Sequence, residues 1–353
     1  MKLKNEFLKK KLLIYGLGKS GISALKYLSK NNKCYVFDDN KREITKKYKK
    51  FFISKSKLEL NKFDNIIISP GINSKKCLLS NYLIKNRNKI ITDLDVFYKF
   101  NPKILTVTIT GTNGKSTTCK LLYNILKDQR FDARLVGNIG NPILDEKNIQ
   151  KKTIFVVEAS SYQLAYSKYF RSNFSLIINI AADHLERHLN MNRYIASKIK
   201  CVTMQNENDI SIISNNESIK KVLKTKNIKS KIIFLKNNNY LNLKYKIKNN
   251  YFKNSINIQN IKFIFELSKY LKLNKKKFYK SIDNFKPLEF RQQLIHNSEI
   301  LKIINDSKST TLSSTTPFLK SKEKIYWILG GLFKKGDKFD LDRKYFKNIK
   351  AFV

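Results

Sequence analysis

The sequence predicts an α/β protein built from mostly parallel sheets covered by helices, in three successive blocks. Three observations predict it. Short apolar runs alternate with helix-length amphipathic stretches along most of the chain. Two glycine loops, Gly16–Gly21 and Gly111–Gly114, each follow an apolar run and open a helix. Acids, amides and histidine collect just where other apolar runs stop, and the strand ends of a parallel sheet are where its ligands bind.

The first block, residues 1–93, reads as strand Leu12–Tyr15, helix Ser20–Ser29, strand Cys34–Phe37, strand Asn65–Ser69, helix Lys75–Lys85 and strand Lys89–Ile91. A connecting helix, Asp93–Phe100, and the punctuation Asn101-Pro102 lead into the second block, 94–287. There, strand Ile104–Ile109 runs into a glycine loop and the helix Lys115–Asp128. Strands follow at Thr153–Val157, Phe174–Ile180, Ile210–Ser214 and Lys231–Phe234. The Asn/Lys-rich stretch Asn237–Asn250 is expected to be a loop or hairpin, and Ile256–Leu271 and Lys275–Asp283 to be helices. The third block, 288–353, holds strands Gln292–Ile295 and Leu301–Ile304, a helix after Thr311, the strand Ile325–Leu329 and the start of another strand at Ala351–Val353.

Composition narrows the class. The 353 residues carry a formal net charge of +44. So large a basic excess suits a nucleic-acid or anionic-membrane partner. The lysines, however, run along the whole chain mixed with Asn, and Lys, Asn, Ile, Phe and Tyr are inflated together. That pattern reads as a bias toward A/T-rich codons, so no nucleic-acid partner and no membrane insertion is expected. No run of about 18 apolar residues could span a bilayer, and no apolar signal segment follows the basic N-terminus. Four scattered cysteines without CxxC spacing read as reduced thiols, the usage of a cytoplasmic protein. A monomer acting on small molecules is expected. The 11 glycines are about half the usual share of roughly 7%, and they fall in a handful of short loops, which makes those loops the first places to inspect.

Gly111-Thr112-Asn113-Gly114-Lys115-Ser116-Thr117, between an apolar strand and a helix, has the build of a phosphate cradle. Lys115 can bridge phosphates, and the hydroxyl of Ser116 or Thr117 can bind Mg²⁺. Ile109 stands where the standard Walker A loop has glycine. Gly16-Leu-Gly18-Lys-Ser-Gly21, with Asp38 and Asp39 ending the next strand, fits NAD, another diphosphate or a plain tight turn. Glu158 and the pair Asp183-His184 end two strands of the same sheet as the cradle, which makes Glu158 and His184 candidates for Mg²⁺. Asn305–Thr310 and Leu329-Gly330-Gly331 are polar strand ends suited to closing over the nucleotide.

The segments GTNGKST, EASSYQL and DHLERH, in this order, resemble those of the Mur ligases. With NDSKST and ILGG, the similarity is to the branch that adds D-glutamate to UDP-N-acetylmuramoyl-L-alanine. The resemblance implies three domains: a Rossmann-like UDP-binding domain, a central P-loop-type ATPase domain and an incomplete Rossmann-like C-terminal domain. It implies Gly18, Lys19, Ser20 and Asp38 at uridine-diphosphate positions, Ser69 and Gly71 beside the sugar-nucleotide, and Asn138 at the muramoyl substrate. It also implies ATP on residues 111–117, with Asn257 and Asn260 on the adenine side and Arg291 and Asp306 closing from the third domain. Lys308, Thr310 and Lys334 match positions near the incoming amino acid. Two Mg²⁺ ions are implied on Ser116, Glu158, His184 and Lys198, the last as a carbamate, and Lys115, His184 and Lys198 are the implied catalytic set.

Departures remain. Phe290 stands where the family usually has His beside the arginine, and the segment after Pro287 is shorter than the family's third domain. The expectation is that UDP-sugar and ATP bind while ligation by this chain alone is poor. Folylpolyglutamate synthase shares the cradle and the amide chemistry, but the Gly16–Gly21 block counts against it.

Overall fold

The computed structural model describes residues 7–40, 46–236, 242–252, 255–309, 311–320, 323–331, 339 and 341–352. Its first sheet is parallel. Strand β1 (Lys11–Tyr15) leads through helix α1 (Lys19–Leu28) to β2 (Lys33–Phe37), then through α2 (Lys55–Glu59) to β3 (Asn65–Ile68), α3 (Ser80–Lys85) and β4 (Ile90–Ile91). The order across the sheet is β2-β1-β3-β4. Leu12, Leu13, Ile14 and Tyr15 are all buried, because both faces of a parallel sheet are covered. Tyr15 pairs in register with Phe37 and with Ile68, so the residues that follow them (Gly16, Asp38 and Ser69) meet at one edge.

Helix α4 (Asp93–Phe100), closed by a capping box between Thr92 and Asp95, joins this sheet to the next. The central sheet is built from β5 (Leu105–Thr110), α5 (Lys115–Asp128), β6 (Ala133–Gly137), β7 (Ile154–Glu158), α6 (Ser161–Tyr166), β8 (Phe174–Ile177), α7 (Leu185–His188), α8 (Met191–Thr203), β9 (Ile210–Ser214), α9 (Glu217–Lys224) and β10 (Lys231–Leu235). Its six strands run parallel in the order β10-β9-β8-β5-β7-β6. The connection after β5 runs to β6 on one side and that after β8 runs to β9 on the other, so the carboxyl ends of β5 and β8 open a crevice between them. After the short α10 (Leu243–Lys246), helices α11 (Ser255–Tyr270) and α12 (Lys275–Asp283) pack with α5 on one face. The other face presents Phe155 and Val157 to a core shared with Leu12, Ile14, Leu25 and Phe97. The Phe97 and Phe155 rings are 4.6 Å apart, so the first two sheets are fused through a common core.

In the third block, β11 (Gln293–Asn297) and β12 (Lys302–Asn305) form an antiparallel hairpin with a register shift near Ile295. Helix α13 (Leu312–Leu319) follows, and β13 (Ile325–Ile328) pairs in parallel with β14 (Ile349–Phe352). These are two separate two-stranded sheets among the described residues.

Several local expectations are corrected. Helix Lys75–Lys85 shrinks to α3, because the Asn73 side chain accepts from Lys75 N–H and its carbonyl from Lys76 N–H, forming a turn that competes with a helix. Strand Phe174–Ile180 stops at Ile177, since Asn179 is turned toward the phosphate loop. Strand β6 and helices α6, α8 and α9 were not anticipated; β6 lies at the sheet edge and carries Arg134 mid-strand, which masks its apolar pattern. Part of Asn237–Asn250 lies outside the described residues, and the rest includes α10. No helix among the described residues is long and apolar enough to cross a membrane.

Candidate active site

The loop after β5 is strapped from the β8 side. Asn179 Oδ1 accepts from the Thr112 N–H at 3.0 Å and the Asn113 N–H at 2.8 Å, and Asn179 Nδ2 donates to Asn113 O at 2.8 Å. The Thr112 hydroxyl lies 3.1 Å from Tyr194 Oη and 2.9 Å from the Ala181 nitrogen. Two loop amides are thereby engaged, and the anion-binding donors narrow to the first turn of α5, at Gly114 to Thr117. Gly114 has φ +80, and a Cβ there would meet Asn260 Oδ1 at 2.6 Å, so a side chain at this position would be strained and would push the Asn260 amide aside. Lys115 folds back, its Nζ donating to Gly111 O at 2.9 Å and Thr112 O at 2.7 Å. The Thr117 hydroxyl faces Tyr251 Oη at 3.5 Å, which leaves Ser116 as the better placed of the two hydroxyls for a cation.

Register brings four strand ends level. Ile109 and Gly137 both pair with Glu158, and Thr110 pairs with Ile177. Glu158 is 1% exposed; its Oε1 accepts from Asn138 Nδ2 at 2.8 Å, and its Oε2 is buried with no hydrogen-bond partner. Lys198, on α8, is 2% exposed and donates to the same Gly111 carbonyl at 2.7 Å. Burial, and then the cation of Lys115, holds its amine well below the usual lysine range. Lys115 is lowered too, by burial, against the opposing pull of Glu158. His184 sits in a left-handed conformation (φ +57), with Nε2 3.2 Å from Asp183 Oδ2 and Nδ1 3.6 Å from Glu186 Oε1. No three His, Cys, Asp or Glu side chains among the described residues gather as a metal site. Mg²⁺, however, takes one or two carboxylates and fills its shell with water and phosphate oxygens. The orphaned Glu158 oxygen beside the phosphate loop fits that ion.

The third block reaches this loop. Asn113, Gly114, Thr117, Tyr251, Asn257, Arg291, Gln292, Asp306, Ser309 and Ser314 line one cleft. Asn257 Nδ2 donates to Gln292 Oε1 at 2.8 Å and to Tyr251 O at 3.0 Å, while Asn260 Nδ2 is buried without a partner beside Gly114. Asp306 accepts from the Gln292 N–H at 3.1 Å, and burial raises its carboxyl against the pull of Arg291. Lys308 is exposed, its ammonium 5.6 Å from the Phe290 ring centroid. Thr310 and Lys334 lie outside the described residues.

At the first sheet, Gly18 and Lys19 are exposed at the start of α1. Ser20 hydrogen-bonds Asp93, a buried acid pushed up to about 6 chiefly by burial. Asp38 accepts from the Leu17 N–H at 2.5 Å and the Asn40 N–H at 2.8 Å, and the Ser69 hydroxyl donates to Gly16 O at 2.7 Å. These two side chains shape the loop, and exposed Gly71 continues the wall beyond it.

Residues 109–273 match the Mur ligase middle domain, and residues 10–91 match the Mur ligase MurD-like N-terminal domain. The UDP-N-acetylmuramoylalanine–D-glutamate ligase of Rickettsia prowazekii (strain Madrid E) is 32% identical over 98% of this chain and 82% of its own length. The chain belongs to the Mur ligase family. The Mur ligase bearing the same name in Clostridioides difficile (strain 630) is 28% identical over 94% of this chain and 79% of its own. Among solved Mur ligases, the UDP-N-acetylmuramate-alanine ligase MurC of Thermotoga maritima shares the fold with a TM-score of 0.53 at 18% identity, over 90% of this chain and 80% of that one. MurF of Thermotoga maritima, in complex with ADP, gives 0.51 at 14% identity, over 92% and 78%. Sequence reasoning missed Asn179 and Tyr194 in this Mur ligase. Their signal was weak, since an Asn two residues past a strand and a Tyr in an unrecognised helix have no motif of their own.

Proposed function

We propose that the chain joins D-glutamate to UDP-N-acetylmuramoyl-L-alanine with ATP as phosphoryl donor, through an acyl-phosphate, to supply peptidoglycan precursors in the cytoplasm. The observation that carries this reading is the convergence of the 111–117 loop, the half-unpaired Glu158 carboxylate and buried Lys198 at the carboxyl end of β5. The names of the relatives and the ADP complex of MurF support the same reaction.

In this reading residues 1–93 bind the UDP portion, through Gly18, Lys19, Ser20 and Asp38 with the Ser69–Gly71 wall. Residues 94–287 hold ATP, and 288–353 close on it with Arg291 and Asp306. Asn257 and Asn260 take the adenine side, and Asn138 faces the muramoyl end. Lys308, with Thr310 and Lys334, serves the amino acid. The substrate carboxylate attacks the γ-phosphate while Lys115 leaves its loop carbonyls to neutralise the charge that develops. The amine of D-glutamate then displaces phosphate from the acyl-phosphate, and a closed cleft protects that intermediate from water.

Ser116, Glu158, His184 and a carbamylated Lys198 would hold two Mg²⁺ ions. Bound there, the ions would supply further neutralisation of the phosphate oxygens. The lowered amine of Lys198 favours the modification: the ammonium first gives up a proton, and the neutral amine then adds CO₂ and releases a second proton, so a cation becomes an anion.

The test is ADP release with ATP and UDP-N-acetylmuramoyl-L-alanine, comparing D-glutamate with L-lysine and diaminopimelate. Release that requires D-glutamate is expected. Release with another amino acid alone, or none with any, would overturn the substrate assignment.

A further inference from the structure

The proposed reaction gives roles to Glu158, His184 and Lys198 but none to the arginine of the short helix that His184 opens. Arg187, on α7, reaches across to the first sheet. Its Nη2 donates to Ile72 O at 2.5 Å, and its Nη1 lies 3.5 Å from Gly71 O. Its guanidinium carbon stands 3.8 Å from the Tyr162 ring centroid and 5.9 Å from that of Tyr166. Tyr166 adds a second tie, its hydroxyl donating to Ser74 Oγ at 2.6 Å and accepting from the Ser74 N–H at 3.3 Å. The segment 71–74, which follows β3, is thus held by a cation and a phenol that belong to the central sheet's carboxyl edge.

The Tyr162 ring also touches His184 at 4.8 Å and stacks on His188 at 5.5 Å. His188 in turn packs 5.3 Å from Tyr194, whose hydroxyl meets Thr112 in the phosphate loop. Packed side chains therefore run without a break from Ile72 to the ATP loop. Only a planar fork can stack on an aromatic face while its edge donates to two successive carbonyls; a lysine ammonium is a point charge and does one or the other.

We propose that Arg187 is a positioning residue for the nucleotide-sugar site: seated between Tyr162 and the Gly71 and Ile72 carbonyls, it fixes the 69–74 wall relative to the His184 side of the ATP site. The proposal rests on reading that wall as part of the UDP-substrate site. Arg187 acts on the substrate through the wall, and its loss leaves the ATP loop intact because Asn179 holds that loop independently.

The test uses the full chain with Arg187→Lys, Arg187→Ala and the milder Tyr166→Phe, and two measurements. In the ligand-free protein, amide hydrogen exchange over residues 70–78 should quicken by about tenfold in both arginine variants, the effect of losing one charge-assisted contact, and less in Tyr166→Phe. In steady state, KM for UDP-N-acetylmuramoyl-L-alanine should rise by about tenfold while KM for ATP stays within about twofold. Failure of lysine to rescue marks the stacked fork as the active feature. Unchanged exchange over 70–78 overturns the proposal, as does an equal rise in both KM values, which is the mark of a general structural role. Should the wild-type chain release no ADP, the substrate reading falls, and the exchange measurement still decides the role of Arg187.

Discussion

At Gly114 the chain has a conformation and a neighbour that both disfavour a side chain. Gly114→Ala forces φ +80 on a residue with a Cβ and drives that carbon to 2.6 Å from Asn260 Oδ1. Strain of about 1–3 kcal/mol at the loop is expected, read as a roughly 5- to 150-fold loss of ADP affinity by calorimetry. An affinity within twofold of wild type would mean that the loop yields more easily than its packing implies. Lys198 makes a different kind of statement. Lys198→Arg keeps a cation in place but has no amine that CO₂ can modify, so kcat should collapse while ADP still binds. ¹³C NMR of the wild-type chain under labelled CO₂ should show a carbamate signal that the variant lacks. The loop and Glu158 were legible in the sequence because glycine spacing and an acid at a strand end are local signals. Asn179 was not, since its meaning lies in two amides far from it along the chain. Asp38 and Ser69, expected beside the nucleotide-sugar from their place at strand ends, also brace the backbone around Gly16, a role that no local pattern announces.

Helix α4 shows how one element can carry two sheets. Asp95 is fully buried and accepts from Thr92 N–H and Oγ1–H and from Ser167 Oγ–H, Lys168 N–H, Tyr169 N–H and Phe170 N–H, tying the connecting helix to the segment before β8. Asp95→Asn turns one acceptor into a donor facing donors, and should cost about 3 kcal/mol in urea unfolding at neutral pH. The same helix carries Asp93, whose carboxyl is raised from 3.8 to about 6 by burial. An acid with a raised folded pKa favours its neutral form in the fold. Its contribution is therefore complete below about pH 4 and is lost as pH climbs to about 6, by about 3 kcal/mol at most. Asp93→Asn should flatten that fall in a stability profile taken between these pH values; an unchanged slope would assign the dependence to another group. The capped helix itself was legible from Thr92 and the acids of its first turn. The knot around Asp95 was not, because it joins residues more than seventy positions apart.

Across the whole molecule, the first two sheets share a core through Phe97, Phe155, Leu12 and Val157, whereas the third block has little core of its own among the described residues. Ile300, in the turn between β11 and β12, is 99% exposed, and Ile328 and Tyr326, on β13, are 85% and 65% exposed, in sheets of only two strands. Segments with few buried apolar contacts open at low free energy. Amides of β11–β14 should therefore exchange well before those of β5, β7, β8 and β9 in the ligand-free chain. The cleft that joins Arg291, Gln292, Asp306 and Ser309 to Asn113, Gly114 and Thr117 makes the third block sensitive to what the loop holds. A nucleotide spanning both sides adds contacts that exist only in the closed arrangement, so it stabilises the weaker partner more than the stronger one. Saturating ADP with Mg²⁺ should slow exchange over residues 290–309 while leaving β8 and β9 almost unchanged. Equal protection of the central sheet and the third block would instead mean that the three blocks already open and close as one unit, with no closure left for the nucleotide to drive.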